Sequence, residues 1–304
     1  MAKSQALQDL IGALRSRPIP MDVSWVDRRK AMEEWQAGLK VPPDVKTQAV
    51  DAGGVRAEWI WRPDSDLDRA ILYLHGGGYA IGSIATHRYL MQGIGKTSGA
   101  RVLGIDYRLA PENPYPAAVE DSVAAWRWML GQGLDAQRCA IGGDSAGGGL
   151  TLATLVALRD RGLPLPGAAV LLSPWTDLAG TGASVKTKAA EDPMVTEAGL
   201  EMMAQAYLGS ADARDPLASP LYAKLSGLPP MLIQVGSAEI LLDDATRVAE
   251  KAKAAGVEVT LEPWEDMVHV FQAFPMLAEA EQAIQKIGSF VRARTSKRAA
   301  AASS

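Results

Sequence analysis

The sequence predicts an α/β fold built on a central, mostly parallel sheet of eight strands flanked by helices. Three observations predict it. From about residue 45 onward, short apolar runs of strand length alternate with longer segments of helical periodicity, the pattern of parallel strands joined by crossover helices. The chain's 304 residues, 48% of them hydrophobic, can bury one large core. Gly143-Asp144-Ser145-Ala146-Gly147 stands between an apolar strand-like run and an alanine- and leucine-rich helix, which puts a serine on a sharp strand-to-helix turn.

The elements follow in order. An N-terminal arm, residues 1–45, shows helical periodicity over 1–14 and an amphipathic segment over 26–39, with Met32, Trp35 and Leu39 at helical spacing; it ends at Pro42-Pro43. Runs 47–51 and 55–61 flank Gly53-Gly54 as an opening hairpin. Further strands are expected at 70–74, 101–105, 139–142, 168–172, 231–235 and 258–262, and helices at 89–97, 117–129, 146–161, 243–255 and 276–292. Between the strands at 168–172 and 231–235 the chain is longer than a crossover needs, and 195–208 reads as a helix bearing Met202, Met203 and Tyr207. The arm and this insertion escape the alternation, and together they predict a helical lid over the strand ends. The expected organisation is therefore cap helices in 1–45, a catalytic core of 46–184 and 216–295, a cap insertion of 185–215, and a tail of 296–304 too polar and small to bury itself.

Composition narrows the function. A net charge of -4, with 31 basic and 35 acidic residues interspersed, leaves no footprint for nucleic acid or an anionic membrane. One cysteine, Cys139, permits no internal disulfide, and its place in a core strand suits a small buried hydrophobe. No run reaches about 18 apolar residues, and the N-terminus lacks a signal peptide's continuous apolar stretch, so a soluble cytoplasmic protein without stable membrane association is expected. Gly93-Ile94-Gly95-Lys96-Thr97 is not a phosphate loop: Leu90 occupies the required glycine position, and the segment lies in a helix that precedes its strand.

A serine hydroxyl is a poor nucleophile near neutrality, so Ser145 needs a base in hydrogen-bond reach and a carboxylate to orient that base. The chain has three histidines. His75 opens Gly76-Gly77-Gly78 after a strand, His87 reads as lying in a polar loop, and His269 follows the last strand. On a serine elbow the partners follow in the order nucleophile, acid, histidine, which only His269 satisfies. The acid is expected in the loop after 231–235, where Glu239 is the candidate; Asp243 and Asp244 look like the first turn of the next helix and remain alternatives. The glycine run lets backbone amides approach a ligand, which makes Gly77, Gly78 and Ala146 the candidate oxyanion donors.

His75-Gly76-Gly77-Gly78, Asp106-Tyr107-Arg108-Leu109-Ala110-Pro111-Glu112, Gly143-Asp144-Ser145-Ala146-Gly147-Gly148 and the late His269 together resemble the hormone-sensitive-lipase-like branch of α/β hydrolases, the bacterial family IV carboxylesterases, over about residues 45–295. The resemblance implies an α/β hydrolase fold with a helical cap, short-to-medium-chain ester substrates, no cofactor, and a structural role for 106–112 beside the oxyanion loop. Where the family usually has Asp-Pro-Leu, this chain has Glu239-Ile240-Leu241, which supports Glu239 by position. Trp25, Met202, Met203 and Tyr207 are the candidate pocket wall, and the family admits a homodimer through the edge of 258–262. The expected reaction is ester hydrolysis through an acyl-enzyme on Ser145, with the oxyanion held by Gly77, Gly78 and Ala146. The competing readings are an amidase or peptidase using the same residues, and a ligand receptor on the same fold; receptors of that kind lack the late histidine.

Overall fold

The paired glycines turn β1 (Lys46–Asp51) back onto β2 (Arg56–Trp61). Both have positive φ, 74° and 91°, and the Asp51 carboxylate accepts the Gly54 amide. β3 (Asp66–Leu74), β4 (Ala100–Ile105), β5 (Cys139–Asp144), β6 (Ala168–Leu172), β7 (Met231–Gly236) and β8 (Val259–Trp264) complete an eight-stranded sheet in the order β1-β2-β4-β3-β5-β6-β7-β8. β1, β2 and β4 pair antiparallel and every other pair is parallel. This computed structural model describes residues 3–16 and 22–296. The expectation for the tail at 296–304 falls, apart from its first residue, outside the described residues.

Strand alternation divides the core into two layers. Leu72, Leu74, Ile141, Leu171 and Ile233 face one way, into a cluster with α4 (Ala117–Gly131), α5 (Ala146–Asp160) and α8 (Leu242–Ala254). Ile71, Tyr73, Ala140, Val170, Leu172 and Leu232 face the other, against α3 (Ile84–Ser98) and α9 (Ala278–Arg294). β5 and α5 are buried almost throughout, which explains why both read as continuous small and apolar runs. Cys139 is buried in β5, and that environment raises its thiol to about 12, away from redox chemistry.

From β3 the chain moves to β4 on one side and later returns to β5 on the other. The carboxyl ends of β3 and β5 therefore flank a topological switch point, where an open α/β sheet leaves a crevice. Three helices outside the alternation reach these strand ends. α1 (Gln5–Arg15) buries Leu7, Leu10 and Leu14 against Met267, Val268 and Phe271 of the loop after β8. α2 (Trp25–Gln36) hydrogen-bonds to the loop after β3 through Arg29. α7 (Glu197–Leu208), preceded by the short α6 (Ser184–Thr187), stacks Tyr207 on Tyr79 at 3.8 Å.

One expectation is corrected. α3 begins at Ile84 and contains His87, which is buried and not in a polar loop. A reciprocal cap starts the helix early: Ser83 Oγ accepts the Thr86 amide, and Thr86 Oγ1 accepts the Ser83 amide at 2.9 Å. Threonine in place of the usual glutamate or glutamine hides that start in the sequence.

Candidate active site

Ser145 stands between β5 and α5 at φ 54° and ψ −122°, a conformation costing a non-glycine residue roughly 1–3 kcal/mol. The surroundings enforce it. Its amide donates to Leu172 O at 2.8 Å and its carbonyl accepts Trp175 N at 2.9 Å and Gly149 N at 3.1 Å. Added methyl groups at Gly143 and Gly147 would collide with the carbonyl of Leu74, so only glycines let strand and helix pass this closely. Among the described residues the Ser145 hydroxyl makes no hydrogen bond, and its residue is partly exposed.

Glu239 and His269 meet directly: Glu239 Oε2 lies 2.5 Å from His269 Nδ1. The other carboxylate oxygen accepts the Gly236 amide at 2.6 Å and the Ser173 hydroxyl at 2.7 Å. Ser173 Oγ in turn accepts Val270 N at 3.0 Å, so one buried hydroxyl steadies both the acid and the chain beside the histidine. Burial alone would lower the His269 pKa, but the charge and hydrogen bond of Glu239, helped by Asp192 and Asp144, outweigh it and raise the ring above 6.5. Ser145 and His269 are not hydrogen-bonded to each other. Both are tied to the end of β6, one through Leu172 and the other through Ser173.

Across the crevice, the loop after β3 presents Gly77 and Gly78. Among the described residues their amides, and that of Ala146 at the start of α5, donate to no protein acceptor. A buried carboxylate supports the loop from behind: Asp144 accepts Tyr73 Oη at 2.8 Å and Gly76 N at 3.2 Å, and pairs with His87 Nε2 at 3.3 Å. Burial opposes ionisation of Asp144, yet His87 and these hydrogen bonds hold its pKa below the ordinary value. His75 takes no part in acid–base work. Burial lowers its pKa to about 3, its Nδ1–H donates to Gly76 O at 2.7 Å, and Tyr107 stacks on it at 4.3 Å while donating to its carbonyl. Ala110 N donates to Tyr79 O at 2.9 Å, so the 106–112 turn packs on the glycine loop after β3.

A family model of the alpha/beta hydrolase fold matches residues 71–273. The chain is 49% identical to an acetyl-hydrolase of Streptomyces hygroscopicus over 264 residues, 86% of this chain and 87% of that one, and 36% identical to an esterase of Acinetobacter venetianus over 82% of each. It superposes with a TM-score of 0.95 and 51% identity on the crystal structure of an esterase from the bacterial hormone-sensitive lipase family, covering 97% of this chain and all of that one. The chain belongs to this family of α/β hydrolases. It is a carboxylic ester hydrolase by that membership.

In this esterase the two alternative acids have other partners. Asp243 accepts Ser184 N at 2.9 Å, fastening the segment before α7 to the start of α8. Asp244 is buried and accepts the Thr176 and Asp177 amides, each at 2.8 Å. Burial is the main cause that lifts its pKa to about 7, partly offset by those amides. A folded-state pKa above the ordinary 3.8 favours the protonated native form, so this group's contribution is complete at low pH and is lost as pH rises through about 7. Asp244→Asn keeps the amide acceptor without the charge. Calorimetry should find its melting temperature close to wild type near pH 3.5 and higher by several degrees near pH 8, the gap opening from about pH 4; parallel pH profiles would contradict the assignment.

Of the four expected pocket residues, α7 brings two to the glycine loop after β3. A methyl group on Gly78 would sit 2.8 Å from Met203 Cγ and Sδ, and the Tyr207 ring lies on Tyr79. Met202 is half-buried on the same helix. Trp25 packs against the main core with the Arg28 guanidinium over its ring. A cavity of about 160 Å³ between α7 and the loops leaving β6 and β7 is lined by Trp175, Leu178, Val185, Leu200, Leu241 and Asp244, among others. Sequence reasoning missed Ser173 and Asp192. The Asp192 carboxylate accepts the amides of Met194, Val195 and Ile240, tying the insertion to the residue after Glu239. Neither signals its link to the site locally, since Ser173 reaches Glu239 across 66 residues and Asp192 reaches Ile240 across 48.

Proposed function

We propose that the protein hydrolyses short- to medium-chain carboxylic esters through an acyl-enzyme on Ser145, with His269 as general base, Glu239 as the triad acid, and the amides of Gly77, Gly78 and Ala146 as the oxyanion hole. The observation that carries this reading is the 2.5 Å contact between Glu239 and His269, in a chain that holds Ser145 in a strained strand-to-helix turn. His269 Nε2 takes the Ser145 proton as Oγ attacks the ester carbonyl, and the carbonyl oxygen becomes an oxyanion on the amides. The alcohol leaves with the proton from His269. Water then gives a proton to the same nitrogen and attacks the acyl carbon; the acid departs and Ser145 recovers its proton. Throughout, Glu239 holds the ring with Nδ1 protonated and stabilises its charged form.

The arm and the 185–215 segment act as the cap. Met203 against Gly78, with the small cavity beside Trp175 and Leu241 taken as the acyl pocket, favours short chains. The name acetyl-hydrolase for the Streptomyces relative points the same way. Assayed on p-nitrophenyl acetate, butyrate, octanoate and palmitate, the enzyme should turn over the first two best, fall about tenfold or more by octanoate, and leave palmitate intact. A palmitate rate equal to butyrate would reject the chain-length limit; no turnover of any ester, with cleavage of matched anilides, would favour an amidase.

A further inference from the structure

Arg29, near the middle of α2, crosses from the N-terminal arm to the loop bearing Gly77 and Gly78. Its Nε donates to Ala80 O and its Nη2 to Ala110 O, both at 2.8 Å. The same head closes bidentately on Glu112, at 3.0 Å from Nη1 to Oε1 and 2.6 Å from Nη2 to Oε2. Ala80 is no arbitrary anchor, because its own amide donates to Gly77 O at 3.1 Å. Ala110 likewise donates to Tyr79 O. The guanidinium therefore grips both backbone segments that frame residues 77–80, each one hydrogen bond from the loop's own peptides.

Apart from Trp25 packed on the main core and Trp35 lying 6.4 Å from Phe274, helix α2 has little apolar anchorage. Arg28 is its one buried side chain, while Val26 is 67% and Trp35 47% exposed. Among the described residues, every hydrogen bond from α2 to the core comes from Arg29. Only a planar fork of donors serves two carbonyls and a carboxylate at once; an ammonium on a flexible stem does not reproduce that geometry.

We propose that Arg29 is a positioning residue for ester hydrolysis: it fixes the direction of the Gly77 and Gly78 amides, so that the N-terminal arm completes the oxyanion site. This rests on the oxyanion role assigned above to those amides. A loop set loose from one side points its donors less well at a developing charge, and the loss falls on the transition state more than on substrate binding.

The test compares wild type, Arg29→Ala, Arg29→Lys and Ser145→Ala. The readouts are kcat and KM for p-nitrophenyl butyrate, and affinity for butylboronic acid, whose tetrahedral adduct with a serine places an oxygen in the oxyanion site. Arg29→Ala should lower kcat by roughly 10- to 100-fold and weaken boronate binding in parallel, with KM within about threefold. Added guanidinium ion should restore part of the kcat of Arg29→Ala and none in wild type. If Arg29→Ala does not fold, Arg29→Lys decides: kcat at least about tenfold down with an unchanged melting temperature supports the clamp. A folded variant with kcat and boronate affinity within about twofold of wild type overturns it, as does a loss confined to KM. Activity surviving in Ser145→Ala would instead overturn the underlying reading, whatever the Arg29 variants do.

Discussion

Ser145→Ala is expected to lower kcat for p-nitrophenyl butyrate by roughly 10⁴- to 10⁶-fold while leaving the fold intact. The size follows from the role proposed for the residue: without Oγ no covalent intermediate would form, and the amides would be left to assist direct attack by water. The backbone supports the expectation of an intact fold. Ser145 is held in its strained conformation through its own amide and carbonyl, not its side chain, so alanine inherits every hydrogen bond that shapes the turn. His269→Ala should cost about as much, because base and nucleophile act as one unit and their losses do not add.

Glu239→Gln carries the second largest expectation, a loss of roughly 10³- to 10⁴-fold in kcat. Glutamine keeps the shape but removes the charge that lies 2.5 Å from His269 Nδ1, and it can present its NH₂ to the ring and stabilise the wrong tautomer. The pH profile gives a second readout. His269 works as a base only when neutral, so kcat/KM rises with pH through its pKa, which Glu239 holds above 6.5 against the effect of burial. In Glu239→Gln the residual activity should therefore rise at a lower pH than in wild type. Asp243→Asn and Asp244→Asn should keep kcat within a few-fold, since their carboxylates serve Ser184, Thr176 and Asp177. An inactive Asp244→Asn with a normal Glu239→Gln would reverse the assignment.

The strand pattern was legible because each strand is a short apolar run bounded by turn residues, and all eight strands appear where periodicity put them. Helix α3 was cut short because its cap uses Thr86, outside the usual signal. At the site, motif and chain order were enough to nominate Ser145, Glu239 and His269. What they could not supply is support from a distance. Ser173 lies 66 residues from the carboxylate it steadies, Asp192 48 from Ile240, and Arg29 51 from Ala80. His87 was misread for the same reason: its partner, Asp144, ends strand β5, and only the packing of helix α3 on the sheet turns a polar side chain at that position inward.

The central claim is that Ser145 attacks with the help of His269 and Glu239. The most direct measurement is inactivation by p-nitrophenyl diethyl phosphate, followed by mass spectrometry of the digested protein. The account predicts one phosphoryl group per chain, on the peptide carrying Ser145, formed far more slowly in Glu239→Gln than in wild type and at an unchanged rate in Asp243→Asn. A label on any other residue, or equal rates of labelling in wild type and Glu239→Gln, would contradict it.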